Sequence, residues 1–150
     1  MSRRKGRILA FQALYSWDVS KSSMEDLLSF SWLQKDSEIE AGEEPKAPSS
    51  TGQNERTFAS LIIAGTIDHI DEIDKLIETH LASNWSKDRL NKVTLAILRT
   101  SVYEMLYQND SQSKIIIDEA VNIAKDYGTD DSYKFINAVL DKIGKDESKS

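Results

Sequence analysis

Apolar side chains recur along this chain at intervals of three and four residues, and no stretch sustains the two-residue alternation of a strand. That periodicity confines the fold to helix packed on helix, because an amphipathic helix must cover its apolar stripe with another element. The spacing predicts helices over 7–19, 24–34, 56–82, 88–108, 114–127 and 132–143, with a break near Thr66–His69. Ser23 followed by Asp26 resembles a capping box for the second helix. Ser86 is a candidate cap for 88–108, and Asp130 or Asp131 for the last helix. Gly128 and Gly144 are candidate stops. The expected fold is all-α: a compact bundle of about six or seven helices.

Residues 36–55 interrupt the pattern. They hold both prolines and six acidic residues against a single lysine, Lys46, and their apolar content is Ile39 and two alanines. Such a segment buries too little surface to offset its ordering entropy, so a mobile acidic loop is expected. The 150 residues then read as one domain over 1–150. A basic arm occupies 1–7, N-terminal helices 8–34 and C-terminal helices 56–144, with a tail over 145–150.

Several kinds of chemistry are excluded by the residue inventory. The chain has no cysteine, so thiolate catalysis, cysteine-ligated zinc and disulfides are unavailable. His69 and His80 are its only histidines, and on a helix they stand roughly 16 Å apart at ~1.5 Å per residue, too far to share a metal. Gly65-Thr66 lacks the lysine and further glycines of a phosphate loop. Asp118-Glu119 and Asp130-Asp131 are adjacent pairs, whose side chains point apart on a helix. No enzyme, metal or cofactor is expected. No apolar run spans a membrane, and Gln12 and Ser16 interrupt the apolar stretch Ile8-Leu9-Ala10-Phe11 that follows basic Arg3-Arg4-Lys5 as in a secretory signal. A cytoplasmic protein is expected.

Charge is uneven. The net charge is −6, yet residues 1–7 carry Arg3, Arg4, Lys5 and Arg7 and no acid, leaving −10 on the rest. Four cations in five positions suit phosphate contacts, and arginine adds planar stacking on unpaired bases. Gly6 should leave the arm frayed when unbound. If the helix extends backwards on binding, Lys5 joins a polar strip at Gln12 and Ser16. A merely solubilising tail fits the same residues. Arg99, ringed by Leu95, Val102, Tyr103 and Leu106, calls for a carboxylate partner such as Glu104, Asp118 or Glu119, or else contacts a ligand. Phe135 sits at the margin of the apolar arc of the last helix, either as an interface anchor or as a ring closing the core.

Three blocks carry a family resemblance. The first is Ala10-Phe11-Gln12-Ala13-Leu14-Tyr15-Ser16-Trp17 behind the basic arm, and the second is Ile97-Leu98-Arg99-Thr100-Ser101-Val102-Tyr103-Glu104-Met105. The third runs from Ile117-Asp118-Glu119-Ala120 through Asp126-Tyr127-Gly128 to Asp131-Ser132-Tyr133-Lys134-Phe135-Ile136-Asn137. Over roughly residues 3–20 and 58–144 the chain resembles the NusB family of bacterial transcription antitermination factors. The resemblance implies a helical RNA-binding protein that joins the small-subunit ribosomal protein NusE on boxA-type single-stranded RNA of ribosomal RNA leaders. There it would promote processive transcription by RNA polymerase.

By position, Arg3, Arg4, Lys5, Arg7, Gln12, Tyr15, Asp131 and Phe135 would contact RNA. Thr94, Ile97, Ser101, Glu104 and Phe135 would face the protein partner. Homodimers, formed by relatives, are a further state the resemblance allows. Thr94 departs from a carboxylate in some members, Asp118 from asparagine and Ala138 from glycine, and the 36–55 segment is longer than the pattern. Two rivals remain at this point: a helical protein–protein adaptor with an incidental basic tail, and a module related to the N-terminal domain of ribosomal RNA methyltransferases.

Overall fold

The computed structural model describes residues 3–29, 50–81, 90–108, 112–129 and 131–148. Among them run seven α-helices: α1 (Arg3–Ser20), α2 (Met24–Ser29), α3 (Ser50–Asp68), α4 (Ile70–Thr79), α5 (Lys92–Tyr103), α6 (Ser113–Tyr127) and α7 (Ser132–Ser148). A π-helical turn, Glu104–Gln108, continues α5. The described residues form no strand, as the periodicity predicts.

Helix α5 is the axis of the molecule. Every residue from Thr94 to Val102 is buried, so neighbours cover it on all sides, including α1, α3, α4, α6 and α7. Helix α1 packs against α3 and α5, and α6 pairs with α7. Leu14, Ile62, Ile63, Leu95, Leu98, Ile136 and Leu140 are fully buried where these helices meet. Close approach depends on glycine at two crossings. A Cβ at Gly6 would lie 2.6 Å from the Phe58 ring, and one at Gly65 within 2.0–2.3 Å of Tyr103 ring atoms.

Helix ends show where tertiary contacts override local signals. Of the acidic loop expected over 36–55, residues 50–55 are helical, since α3 already begins at Ser50, and residues 36–49 lie outside the described residues. Buried Glu55 explains the extra turn, since its carbonyl lies beneath Gly6 of α1. The helix expected over 24–34 is described as α2 to Ser29, with Ser23 Oγ accepting from Asp26 N–H at 3.1 Å. Ser86, the expected cap of α5, lies outside the described residues. The cap is Asn91, whose Oδ1 accepts from Val93 N–H at 2.8 Å and Thr94 N–H at 3.4 Å. Asp130 is likewise outside the described residues. Helices α3 and α4 meet at His69, where the break was expected.

Gly128 ends α6 in extended backbone. A side chain there would collide with Ser132 Oγ at 2.2 Å and Ala124 O at 2.9 Å, so space rather than a left-handed twist selects glycine. Gly144 does not stop α7, which continues to Ser148. A Cβ at 144 would stand 3.2 Å from Met105 Cε, so this glycine serves packing against the π turn.

Candidate nucleic-acid interface

The basic residues at the N-terminus form the first turn and a half of α1, where a frayed arm was expected. Helical geometry divides them. Arg7 lies three, four and seven residues before Ala10, Phe11 and Leu14, all buried, and so turns inward with them. Its Nε donates to Glu104 Oε1 at 2.8 Å and its Nη2 to Glu104 Oε2 at 2.9 Å, with both side chains less than a tenth exposed. The Phe58 ring lies 5.6 Å from the same guanidinium. Arg7 is therefore an interior residue, which corrects its assignment to the RNA surface.

Arg3, Arg4 and Lys5 stay outside. The Arg3 guanidinium also lies over the Phe58 ring, 5.5 Å from its centre. Arg4 Nε donates to Glu119 Oε2 of α6 at 2.7 Å, with half of the Arg4 side chain exposed. Glu119 Oε1 also stands 3.8 Å from Arg7 Nη1, so the two arginines and two glutamates share one network. From Lys5 the outer face of α1 continues through half-buried Gln12 and Ser16, flanked by exposed Tyr15 and Val19. On the inner face, buried Phe11 meets the ring of exposed Tyr127 edge-on at 5.4 Å, which ties α1 to the end of α6. Beyond it, the ammonium groups of Lys125 and Lys134 lie 5.0 and 5.9 Å from the Tyr133 ring. Cations interleaved with aromatic faces are the arrangement that holds single-stranded nucleic acid, by charge on phosphates and stacking on bases.

A second feature gathers residues distant in sequence. The starts of α5 and α7 border a cleft of about 340 Å³ lined by Leu90, Asn91, Thr94, Asp131, Ser132 and Phe135, among others. Three predicted site residues, Thr94, Asp131 and Phe135, thus line one surface. Phe135 packs on the core with its remaining face in the cleft. Asp131 is exposed, 3.9 Å from Lys134. The other predicted partner contacts are not on this surface. Ile97, Ser101 and Glu104 are all buried, a correction that follows from α5 being enclosed on every side.

Arg99 is paired inside the protein, with partners other than those expected. Asp74 of α4 takes its Nε and Nη2 at 2.8 and 2.9 Å, Asp18 Oδ2 of α1 stands 3.5 Å from Nη1, and the Trp17 ring lies 5.7 Å away. Glu104 and Glu119 serve Arg7 and Arg4 instead.

The two histidines also have separate surroundings. His69 stacks on Tyr107 at 4.1 Å, and Tyr107 Oη donates to Glu72 at 2.5 Å. His80 Nε2 pairs with Asp146 at 2.5 Å. Burial, reinforced by the Asp68 carboxylate, raises the pKa of the neighbouring Tyr103 hydroxyl above the usual tyrosine range. Among the described residues no cluster of three His, Asp or Glu side chains could hold a metal, and no helix is long and apolar enough to cross a membrane.

The chain's relatives have this same architecture. Residues 4–145 match the model of the NusB family. A transcription antitermination protein NusB of Treponema denticola is 53% identical over 143 residues, covering 95% of this chain and 96% of that protein. The solved structure of T. maritima NusB superposes with a TM-score of 0.75 at 32% identity, covering 97% of this chain and 92% of its own. A crystal structure of the antitermination factors NusB and NusE in complex with double-stranded RNA superposes with a TM-score of 0.74 at 27% identity, covering 96% of each chain.

Proposed function

The chain belongs to the NusB family of transcription antitermination proteins, not of enzymes, and from that premise we propose that it binds boxA-type RNA of ribosomal RNA leaders jointly with NusE. In this reading it works in the cytoplasm as part of the antitermination complex on RNA polymerase. The observation that carries it is the outer face of α1, where exposed Arg3, Arg4 and Lys5 lead into Gln12 and Tyr15. That face presents phosphate-binding donors beside an aromatic ring, on a chain whose net charge of −6 would otherwise repel RNA. The cleft at Thr94, Asp131 and Phe135 is the surface offered to NusE, and its rim can share in RNA contact. A relative seen with NusE and double-stranded RNA makes the same pair of guests reasonable here, with the single-stranded form favoured by the stacking surface.

Two modest surfaces on one complex bind tightly through effective concentration, so RNA affinity should rise when NusE is present. Four arm cations would give a slope of log affinity against log salt of about −3 on single strands, whereas three, with Arg7 withdrawn, give about −2. Titration of a boxA-containing RNA at several salt concentrations, with and without NusE, measures both quantities. A slope near zero, or no gain from NusE, contradicts the proposal. An adaptor with an incidental tail would instead keep NusE and show no RNA loss when Arg3, Arg4 and Lys5 are changed to glutamine.

A further inference from the structure

We infer that Glu119 competes with RNA phosphate for the Arg4 guanidinium and so limits how tightly the α1 surface holds RNA; this rests on the RNA-binding reading above. The geometry separates two acid–arginine contacts that are neighbours in space. Glu104 holds Arg7 from both sides of its fork and is 5% exposed, as a residue committed to the interior must be. Glu119 is 21% exposed and takes a single donor, Arg4 Nε, from a guanidinium that is half in water. An ion pair at such a rim is worth little and is readily exchanged.

The donor it takes matters. Arginine binds a phosphate side-on through the fork that includes Nε, and the Glu119 oxygen 2.7 Å from Nε occupies that approach. A phosphate can take the fork only by displacing the carboxylate, and a phosphate bound at the far edge of the guanidinium still meets the field of Glu119. In either case Arg4 contributes less than a full cation to RNA binding. The second oxygen of Glu119 is 3.8 Å from Arg7, so the glutamate stays in place when Arg4 leaves and repels the incoming phosphate. The carboxylate thus restrains sequence-blind attraction while leaving the arm in position to bind.

The test uses the full-length chain and a boxA-containing single-stranded RNA, with Kd measured across a salt series. Glu119→Gln keeps the shape and removes the charge. It should tighten binding by about two- to fivefold at low salt, the range set by a rim ion pair, and steepen the log–log slope by up to about 0.7, to the value of about −2 that three full arm cations give. On an Arg4→Gln background the same change should have no effect, because the competition has lost its object. Thermal unfolding confirms that each variant is folded, and Glu119→Ala provides the same reading should the glutamine variant unfold. An unchanged Kd and slope in Glu119→Gln, while Arg4→Gln weakens binding, overturns the inference and leaves the RNA reading intact. Equal tightening with and without Arg4 also overturns it, since general repulsion would then be the cause. If neither Arg4→Gln nor Lys5→Gln weakens RNA binding, the RNA reading itself fails.

Discussion

Two arginines one turn apart on α1 carry the same formal charge and have opposite fates. Arg4 sits at the rim, half exposed, in a single contact to Glu119. Arg7 lies in the interior, bound twice by Glu104. Removing one partner of a buried pair strands the other charge away from water, which costs about 3–5 kcal/mol, whereas a rim pair is worth about 0–1 kcal/mol. Arg7→Gln should therefore lower unfolding stability by an amount in the first range and Arg4→Gln by one in the second, as measured by urea denaturation. Similar small losses for both would show that Arg7 is solvated. The spacing of Arg7 to Ala10, Phe11 and Leu14 was readable in the sequence, but a run of four cations draws attention to charge rather than to helical phase. Its partner, 97 residues away, was not readable at all, and neither was Glu119 at 115 residues from Arg4. Arg99 repeats the lesson. Its wheel position announced a buried, paired cation, while the identity of Asp74 depended on how α4 crosses α5.

At the scale of elements, the middles of the helices were legible and their ends were not. Periodicity reports which face is buried along many residues, but an end is decided by one or two contacts from elsewhere. Ser50–Glu55 is helical because α1 lies over it, and α7 passes through Gly144 because the glycine fits against Met105. The α3–α5 crossing offers a quantitative check. The Tyr103 ring rests directly on Gly65, and stacks with Tyr107 at 5.6 Å. In an open helix interior Gly→Ala would gain about 1 kcal/mol from propensity. Here the added methyl would overlap ring atoms at 2.0–2.3 Å, and overpacking of this kind costs about 1–3 kcal/mol or more. Severe overlap with a stacked ring places the cost at the upper end, so Gly65→Ala should be net destabilising by about 1–2 kcal/mol. Thermal unfolding and the near-ultraviolet dichroism of the displaced tyrosines would report it. A more stable variant would mean that Tyr103 does not sit on Gly65.

For the molecule as a whole, the sequence showed a cationic end on an anionic body, and the fold adds that the two candidate surfaces differ in the physics of their contacts. The α1 face carries guanidinium and ammonium groups, whereas the cleft between α5 and α7 presents Phe135 on a largely apolar floor. Convergence of Thr94 and Phe135 in that cleft was foreshadowed only by family resemblance, since 41 positions separate them and helix phase alone cannot say which ends meet. Salt distinguishes the two surfaces. Each phosphate neutralised by a cation releases counterions and adds about 0.7 to the slope on single strands, while burial of an aromatic ring releases none. Changing Arg3, Arg4 and Lys5 to glutamine should weaken assembly with RNA and NusE most at low salt and flatten the slope towards zero. Phe135→Ala should weaken the same assembly by about tenfold or more, the scale of an interface anchor, and by the same factor at every salt concentration. In the proposed complex each surface holds one guest, so either change alone should cost most of the cooperative gain. Binding isotherms for both variants across a tenfold range of salt decide the matter. Parallel lines for Phe135→Ala and converging lines for the arm variant are expected, and a flattened slope in Phe135→Ala would place the ring's contribution on the phosphate-binding face instead.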